Sequence, residues 1–190
     1  MTSARWQLWL ATTPGIALAG LWGFAEATLF FILPDVPLSL AAVYRPRRSL
    51  IHLAAIVCGS LLGGALMFAW SAHSPAARHA VADVPFVPAA MFDRAENDYQ
   101  KLGPWAAAVG PLRGIPYKIY AVEAPEHLTL PIFLLITIPA RTWRLLAVWL
   151  IFSSAGILLR KMRLSALTPT LHACVWITVY VIYWTKISRS

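Results

Sequence analysis

The sequence predicts an all-α integral membrane protein built as two inverted repeats. Each repeat is a re-entrant helical hairpin followed by a transmembrane helix, and one further transmembrane helix closes the chain. Three observations predict this. Of the 190 residues, 59% are hydrophobic, with a mean hydropathy of +0.64, whereas a soluble domain is roughly 45–50% apolar. Three segments are long and apolar enough to cross a hydrocarbon core of about 30 Å. Two more apolar segments are interrupted midway by proline and glycine, and fit neither a clean span nor a clean loop.

Charge supports the same class. Only 13% of residues are charged, about half the usual share, so lipid must solvate much of the surface. The formal net charge of +8 is gathered into short clusters such as Arg45, Arg47, Arg48 and Arg160, Lys161, Arg163. That pattern fits cytoplasmic loops beside anionic headgroups and gives no reason to expect nucleic acid as a partner. At the N-terminus, Arg5 precedes an apolar stretch that Thr12-Thr13-Pro14 interrupts, with no small-residue cleavage site before Glu26. The first segment is therefore expected in the mature protein.

The first hairpin is predicted over 14–44. An apolar helix carrying Glu26 breaks at Leu33-Pro34-Asp35-Val36-Pro37 and resumes as Leu38–Val43. A span over 50–71 follows, with His52 near one end and small residues Gly59, Ser60, Gly63 and Gly64. The Gly59–Gly63 spacing indicates either close helix–helix contact or ordinary small-residue content in a membrane helix. The segment 72–101 holds Pro75, Pro85, Pro88, Asp83, Asp93, Glu96 and Asp98, and reads as an extracytoplasmic loop with a short helix near Ala89–Gln100. Met91, Phe92, Ala95 and Tyr99 would give that helix a face resting on the membrane interface, unless it is a plain solvated helix.

The second hairpin is predicted over 103–124, where Gly103, Pro104, Gly110, Pro111, Gly114 and Pro116 punctuate an apolar run carrying Arg113, Lys118 and Glu123. The run 131–159 contains Pro139, Arg141 and Arg144 and is too long for a perpendicular span, so a tilted or broken helix is expected. The last span, 165–185, ends in Tyr180, Tyr183 and Trp184, aromatics that suit an interface.

Loop charge sets the orientation. Basic residues at 44–49 and 160–163 belong to the cytoplasmic side, and the acidic 72–101 loop lies outside. With those ends assigned, 103–124 must leave and re-enter through the outer face, and if the N-terminus is also inside, 14–44 does the same from the inner face, which makes an inverted repeat. Lys186 and Arg189 would then face outward. Re-entrant backbone cannot face lipid, so the two tips must meet inside the protein or line a wet cavity.

Charges at bilayer depth carry the chemistry. Glu26 lies within an apolar helix, where a carboxylate costs several kcal/mol unless paired or protonated. Asp35, between two prolines, is placed to accept from neighbouring amides. Arg113 and Lys118 hold the matching place on the second hairpin. One reading is a central site in which the cations bind a phosphate or other anion while Glu26 and Asp35 exchange protons as substrate arrives. The other is a structural ion pair, Glu26 or Asp35 with Arg113, that pins the hairpins together. Arg141 and Arg144, three residues apart on one helix face, either extend the anion path, snorkel outward, or pair with Glu123 or Glu126.

Nothing suggests a metal or cofactor. His52, His127 and His172 sit near span ends and read as interfacial packers, while Cys58 and Cys174 read as small apolar packers. No HExxH, CxxC, GxSxG, phosphate-loop or dinucleotide motif is present, so no enzyme is predicted; a lipid-phosphate enzyme would also need a nucleophile and base that are not recognisable.

These residues together resemble the DedA family, also called the VTT or SNARE-associated membrane family. Its acidic residue before a proline-rich re-entrant tip is similar to Glu26 followed by Leu33-Pro34-Asp35-Val36-Pro37. Its Gly-Arg-x-x-Pro-x-x-Arg stretch is similar to Gly110-Pro111-Leu112-Arg113-Gly114-Ile115-Pro116-Tyr117-Lys118, which keeps Arg-x-x-Pro, lacks glycine directly before Arg113, and puts Lys118 one residue closer than the family's second arginine. The stretch from Tyr120-Ala121 to Phe133 is similar to the family's small-residue turn into the next span. The resemblance runs from about Gly23 to Leu159. It implies translocation of phospholipids or polyprenyl phosphates between leaflets of the inner (plasma) membrane by a multi-pass protein, proton-driven in some members and scrambling in others. Membrane lipids bearing an anionic phosphate would be the partners, with a homo-oligomer also open. The rival expectations are a proton- or cation-coupled exporter of small molecules and a non-catalytic scaffold working through its GxxxG-like face.

Overall fold

The structure, a computed structural model, describes residues 12–85 and 87–187. Among these the chain is all helical, with no strand. Arg5 and Arg189 lie outside the described residues, as does the side chain of Lys186.

Helix α1 spans Thr13–Ala27, with Pro14 in the first turn, where its missing N–H is no loss. It ends where the Thr28 hydroxyl donates to the carbonyls of Phe24 and Ala25, at 3.1 and 2.9 Å, satisfying groups that the next turn would have used. Trp22 Nε1 donates to the Ile32 carbonyl at 3.1 Å and folds the following segment back. Helix α2, Asp35–Tyr44, starts immediately after Pro34. The break thus occupies 28–34 and lies earlier than the expected 33–37. Pro34 and Pro37 sit at the cap and in the first turn, where no intrahelical donor is required, so they start a helix here.

Helix α3, Pro46–His73, is longer than the expected 50–71 because Pro46 opens it and takes Arg47 and Arg48 into its first turn. Its small-residue face meets α1 backbone to backbone. A Cβ on Gly59 would strike the Gly20 carbonyl, one on Gly63 the Phe24 carbonyl, and one on Gly23 the Ile56 backbone. Ser60 Oγ donates to the Gly23 carbonyl at 3.3 Å across the same seam. The glycine spacing therefore serves close contact within the chain, which leaves that face unavailable as a scaffold's docking surface.

The 72–101 segment holds two helices, α4 (Ala76–Ala82) and α5 (Ala90–Leu102). Met91, Phe92, Ala95 and Tyr99 are all buried within one protein core with Tyr117, Ile119 and Tyr120. Tyr99 donates to the Tyr120 carbonyl at 2.8 Å. Both expectations for this face, membrane interface and solvent, are corrected: it packs on protein, because α7 offers it an apolar surface.

Past Gly103, whose φ of +55° closes α5, the chain proceeds in short turns. These are Gly103–Trp105, α6 (Ala106–Val109) and Gly110–Arg113, with proline opening the first and the last. Gly114, at φ +85°, supplies the left-handed turn into Pro116 and α7 (Tyr117–Glu123). Helix α8, Leu130–Lys161, runs unbroken through Pro139, so the alternative of a broken helix at 131–159 is not met. A turn at Ser165–Leu167 leads into α9, Thr168–Ile187.

Three of these helical segments, Pro46–His73, Leu130–Lys161 and Ser165–Thr185, are long and apolar enough to cross a membrane. The outer faces of α8 and α9 expose Leu135, Leu150, Ile151, Ile157 and Ile177, a surface suited to lipid. Cys58 and Cys174 are exposed on such helices, so they do not pack the interior.

Candidate functional site

A cavity of about 230 Å³ lies where the two interrupted segments approach each other. The first break contributes Phe30, Phe31 and Leu33, and the second contributes Pro111 to Lys118 except Arg113. Helix α8 supplies Arg141 and Arg144, α1 supplies Glu26, and the C-terminal end of α9 supplies Tyr180, Tyr183 and Trp184. Lys118 Nζ donates to the Phe30 carbonyl at 2.5 Å, joining the two breaks directly. The Tyr180 hydroxyl accepts from Leu33 N at 2.9 Å and holds α9 against the first break.

The ion pairs are not the ones expected. Glu26 pairs with Arg141, and Asp35 pairs with Arg144 at 2.8 Å. Arg113 turns away and binds Asp98 at 2.9 Å, with its side chain 56% exposed. Asp98 also accepts from the Tyr120 hydroxyl at 2.6 Å. The pairing of Glu26 or Asp35 with Arg113 is therefore corrected. Arg113 precedes the left-handed turn at Gly114, which carries the chain inward only after it has passed. Arg141 and Arg144 make neither of the alternative contacts with Glu123 or Glu126; Glu123 meets Arg78 at 3.2 Å. Arg141 does not reach outward, because its guanidinium is buried between Glu26 and the ring of Tyr117. Asp35, expected to accept from nearby amides, faces Arg144 because the first turn of α2 lies against α8.

Arg141 is 3% exposed. Its guanidinium carbon lies 4.2 Å from the ring centroid of Tyr117. The Tyr117 hydroxyl and Thr137 Oγ1 are 3.0 Å apart, and Thr137 Oγ1 donates to the Phe133 carbonyl at 2.9 Å. Tyr117 and Thr137 were not singled out by sequence reasoning. The signal that points to them is an arginine deep within a long apolar run, since such a cation needs both a carboxylate and a polarisable surface nearby.

Two guanidinium nitrogens, Arg141 Nε and Arg144 Nη2, are buried without a hydrogen-bond partner. The site sums to three cations (Lys118, Arg141, Arg144) against two carboxylates (Glu26, Asp35), which leaves one positive charge in excess. Buried donors on cations call for an anion or water.

The three histidines placed near span ends are engaged: His172 bonds Ser39 Oγ at 2.9 Å, His127 bonds Glu96 at 2.8 Å, and His52 is buried in α3. Among the described residues, Glu96, Glu126 and His127 bring ligand atoms within 4.8 Å of one another. This grouping, drawn from two separate segments, is not visible as a spacing. The Nε2 of His127 is already committed to Glu96.

No family model, curated protein or solved structure matches the chain.

Proposed function

We propose that the chain is a multi-pass protein of the inner membrane that moves anionic lipid headgroups between leaflets, as its resemblance to the DedA family implies. The observation that carries this reading is the pair of buried, unsatisfied guanidinium donors, on Arg141 and Arg144, beside a cavity with surplus positive charge. In this reading residues 14–44 and 103–124 are re-entrant hairpins entering from opposite faces, and the two inverted repeats meet at the cavity. The bond from Lys118 to Phe30 supports it, since it ties one break to the other. So does the wall of Phe31, Leu33, Leu112 and Trp184, which suits the apolar part of a lipid.

The exchange follows from the pairing. A phosphate takes the free donors of Arg141 and Arg144 in charge-assisted hydrogen bonds. As it draws Arg141 from Glu26, that buried carboxylate is left without its cation and takes up a proton. Anion entry and protonation of Glu26 are thus one event, and Asp35 gates it through Arg144. Lys118 contributes a compact charge. Arg113, at the rim beside Leu112 and Gly114, attracts headgroups to the mouth. The surplus of cations disfavours an exporter of cations through the same cavity.

The test is transport in proteoliposomes. Labelled phosphatidylglycerol and polyprenyl phosphate should cross faster than labelled phosphatidylcholine, and Glu26→Gln should remove any dependence on a proton gradient. Equal rates for protein-free and protein-containing vesicles would overturn the function, and unchanged coupling in the Gln variant would remove Glu26 from its role.

A further inference from the structure

Tyr117 is 1% exposed, and each of its surfaces is in contact. The Arg141 guanidinium lies over the ring. The ring also stacks on Phe133, with centroids 5.8 Å apart and planes within 17°. The hydroxyl bonds Thr137 and rests against Gly64, where a Cβ would overlap it. Groups on α3 and α8 thus fix a ring carried by α7.

A cation over an aromatic face is held by the ring quadrupole, and the contact does not use its in-plane N–H groups. Glu26 and the ring therefore grip Arg141 in different ways. Glu26 takes the Nη2 donor on the edge, whereas Tyr117 supports the charge without competing for donors. A buried arginine that lost its carboxylate with nothing else to hold it would relax out of place.

We propose that Tyr117 is the positioning residue that keeps Arg141 in register while its edge donors change partner from Glu26 to the incoming anion. This rests on the transport reading above and adds a role that no catalytic or proton-carrying group supplies. It explains why Gly64 must lack a side chain: the tyrosine hydroxyl needs that space for the ring to lie under Arg141.

The experiment compares Tyr117→Leu, which loses the ring, with Tyr117→Phe, which keeps it. Tyr117→Met replaces the leucine variant if that protein is not monodisperse. In proteoliposomes carrying labelled phosphatidylglycerol, Tyr117→Leu should raise the half-saturating lipid concentration about tenfold, with the maximal rate changed less than about twofold. Tyr117→Phe should stay within about threefold of the parent on both counts. Equal half-saturation for Tyr117→Leu and parent would overturn the proposal, as would a phenylalanine variant as impaired as the leucine one. A second arm needs no transport: in detergent, inorganic phosphate should raise the melting temperature of the parent and of Tyr117→Phe but not of Tyr117→Leu. Should the parent move no lipid yet respond to phosphate, the transport reading fails and this arm alone decides the role of Tyr117. A parent that neither moves lipid nor responds to phosphate overturns both.

Discussion

Replacing the Glu26–Arg141 pair by apolar side chains separates a structural pin from a working site. The two side chains are 6% and 4% exposed, so solvent rescues neither when its partner is removed. Arg141→Met alone leaves a buried carboxylate facing only the more distant Lys118 and Arg144, and should cost about 3–5 kcal/mol. That is a loss of roughly two to nearly four orders of magnitude in the folding equilibrium. Glu26→Leu with Arg141→Met removes both charges together with both desolvation penalties, so its stability should return to the parent's or exceed it by about 1–4 kcal/mol. The assay is unfolding in mixed micelles, titrated with sodium dodecyl sulfate and followed by tryptophan fluorescence, for which nine tryptophans serve as reporters. The same preparations are then reconstituted for lipid transport. A stable double variant with no transport is the expected result, because a functional charge pair is retained at a cost in stability. A double variant as unstable as Arg141→Met would refute the energetic reasoning. A stable double variant transporting at the parent's rate would show the pair to be a pin and end its assigned function.

Three more outcomes follow from other parts of the molecule. Gly23→Ala should destabilise by about 1–3 kcal/mol, because its Cβ meets the Ile56 backbone; Gly20→Ala, with its nearest atom at 3.4 Å, should be near neutral in the same unfolding titration. Hydrogen bonds from His127 and Gln100 hold the Glu96 carboxyl below its ordinary range. This lowered value means that the contribution is present at neutral pH, persists down to the unfolded value of about 4.3, and is lost as pH falls through the folded one. The melting temperature of the parent should accordingly fall more steeply than that of Glu96→Gln below about pH 4.3, and parallel curves would exclude the effect. Finally, the orientation proposed above predicts that a single cysteine at Asp93 reacts with an impermeant maleimide in intact cells, while one at Arg47 reacts only after permeabilisation; the reverse pattern would invert the topology.

Length and hydropathy were enough to locate the three long apolar helices, since crossing about 30 Å of hydrocarbon requires about twenty apolar residues whatever their partners. The interruptions near Pro34 and at 110–116 were also legible, because proline and glycine act locally. Their register was less so: Pro34 and Pro37 begin α2, and it is Thr28 that closes α1. The face of Met91, Phe92, Ala95 and Tyr99 was visible as a stripe, but its partner, α7, lies more than fifteen residues further on and leaves no trace in the stripe's own spacing.

The charged residues were identifiable from the chain alone, for Glu26, Asp35, Lys118, Arg141 and Arg144 all stand in apolar surroundings where a charge is expensive. Their pairing belonged to the tertiary structure. Which guanidinium reaches a given carboxylate depends on how α8 packs across the first break. That packing brings together residues 109 to 115 positions apart, and it turns Arg113 outward to Asp98. Composition dictates that a charge in lipid must find a partner; only the packing of helices, which no local pattern encodes, selects which partner it finds.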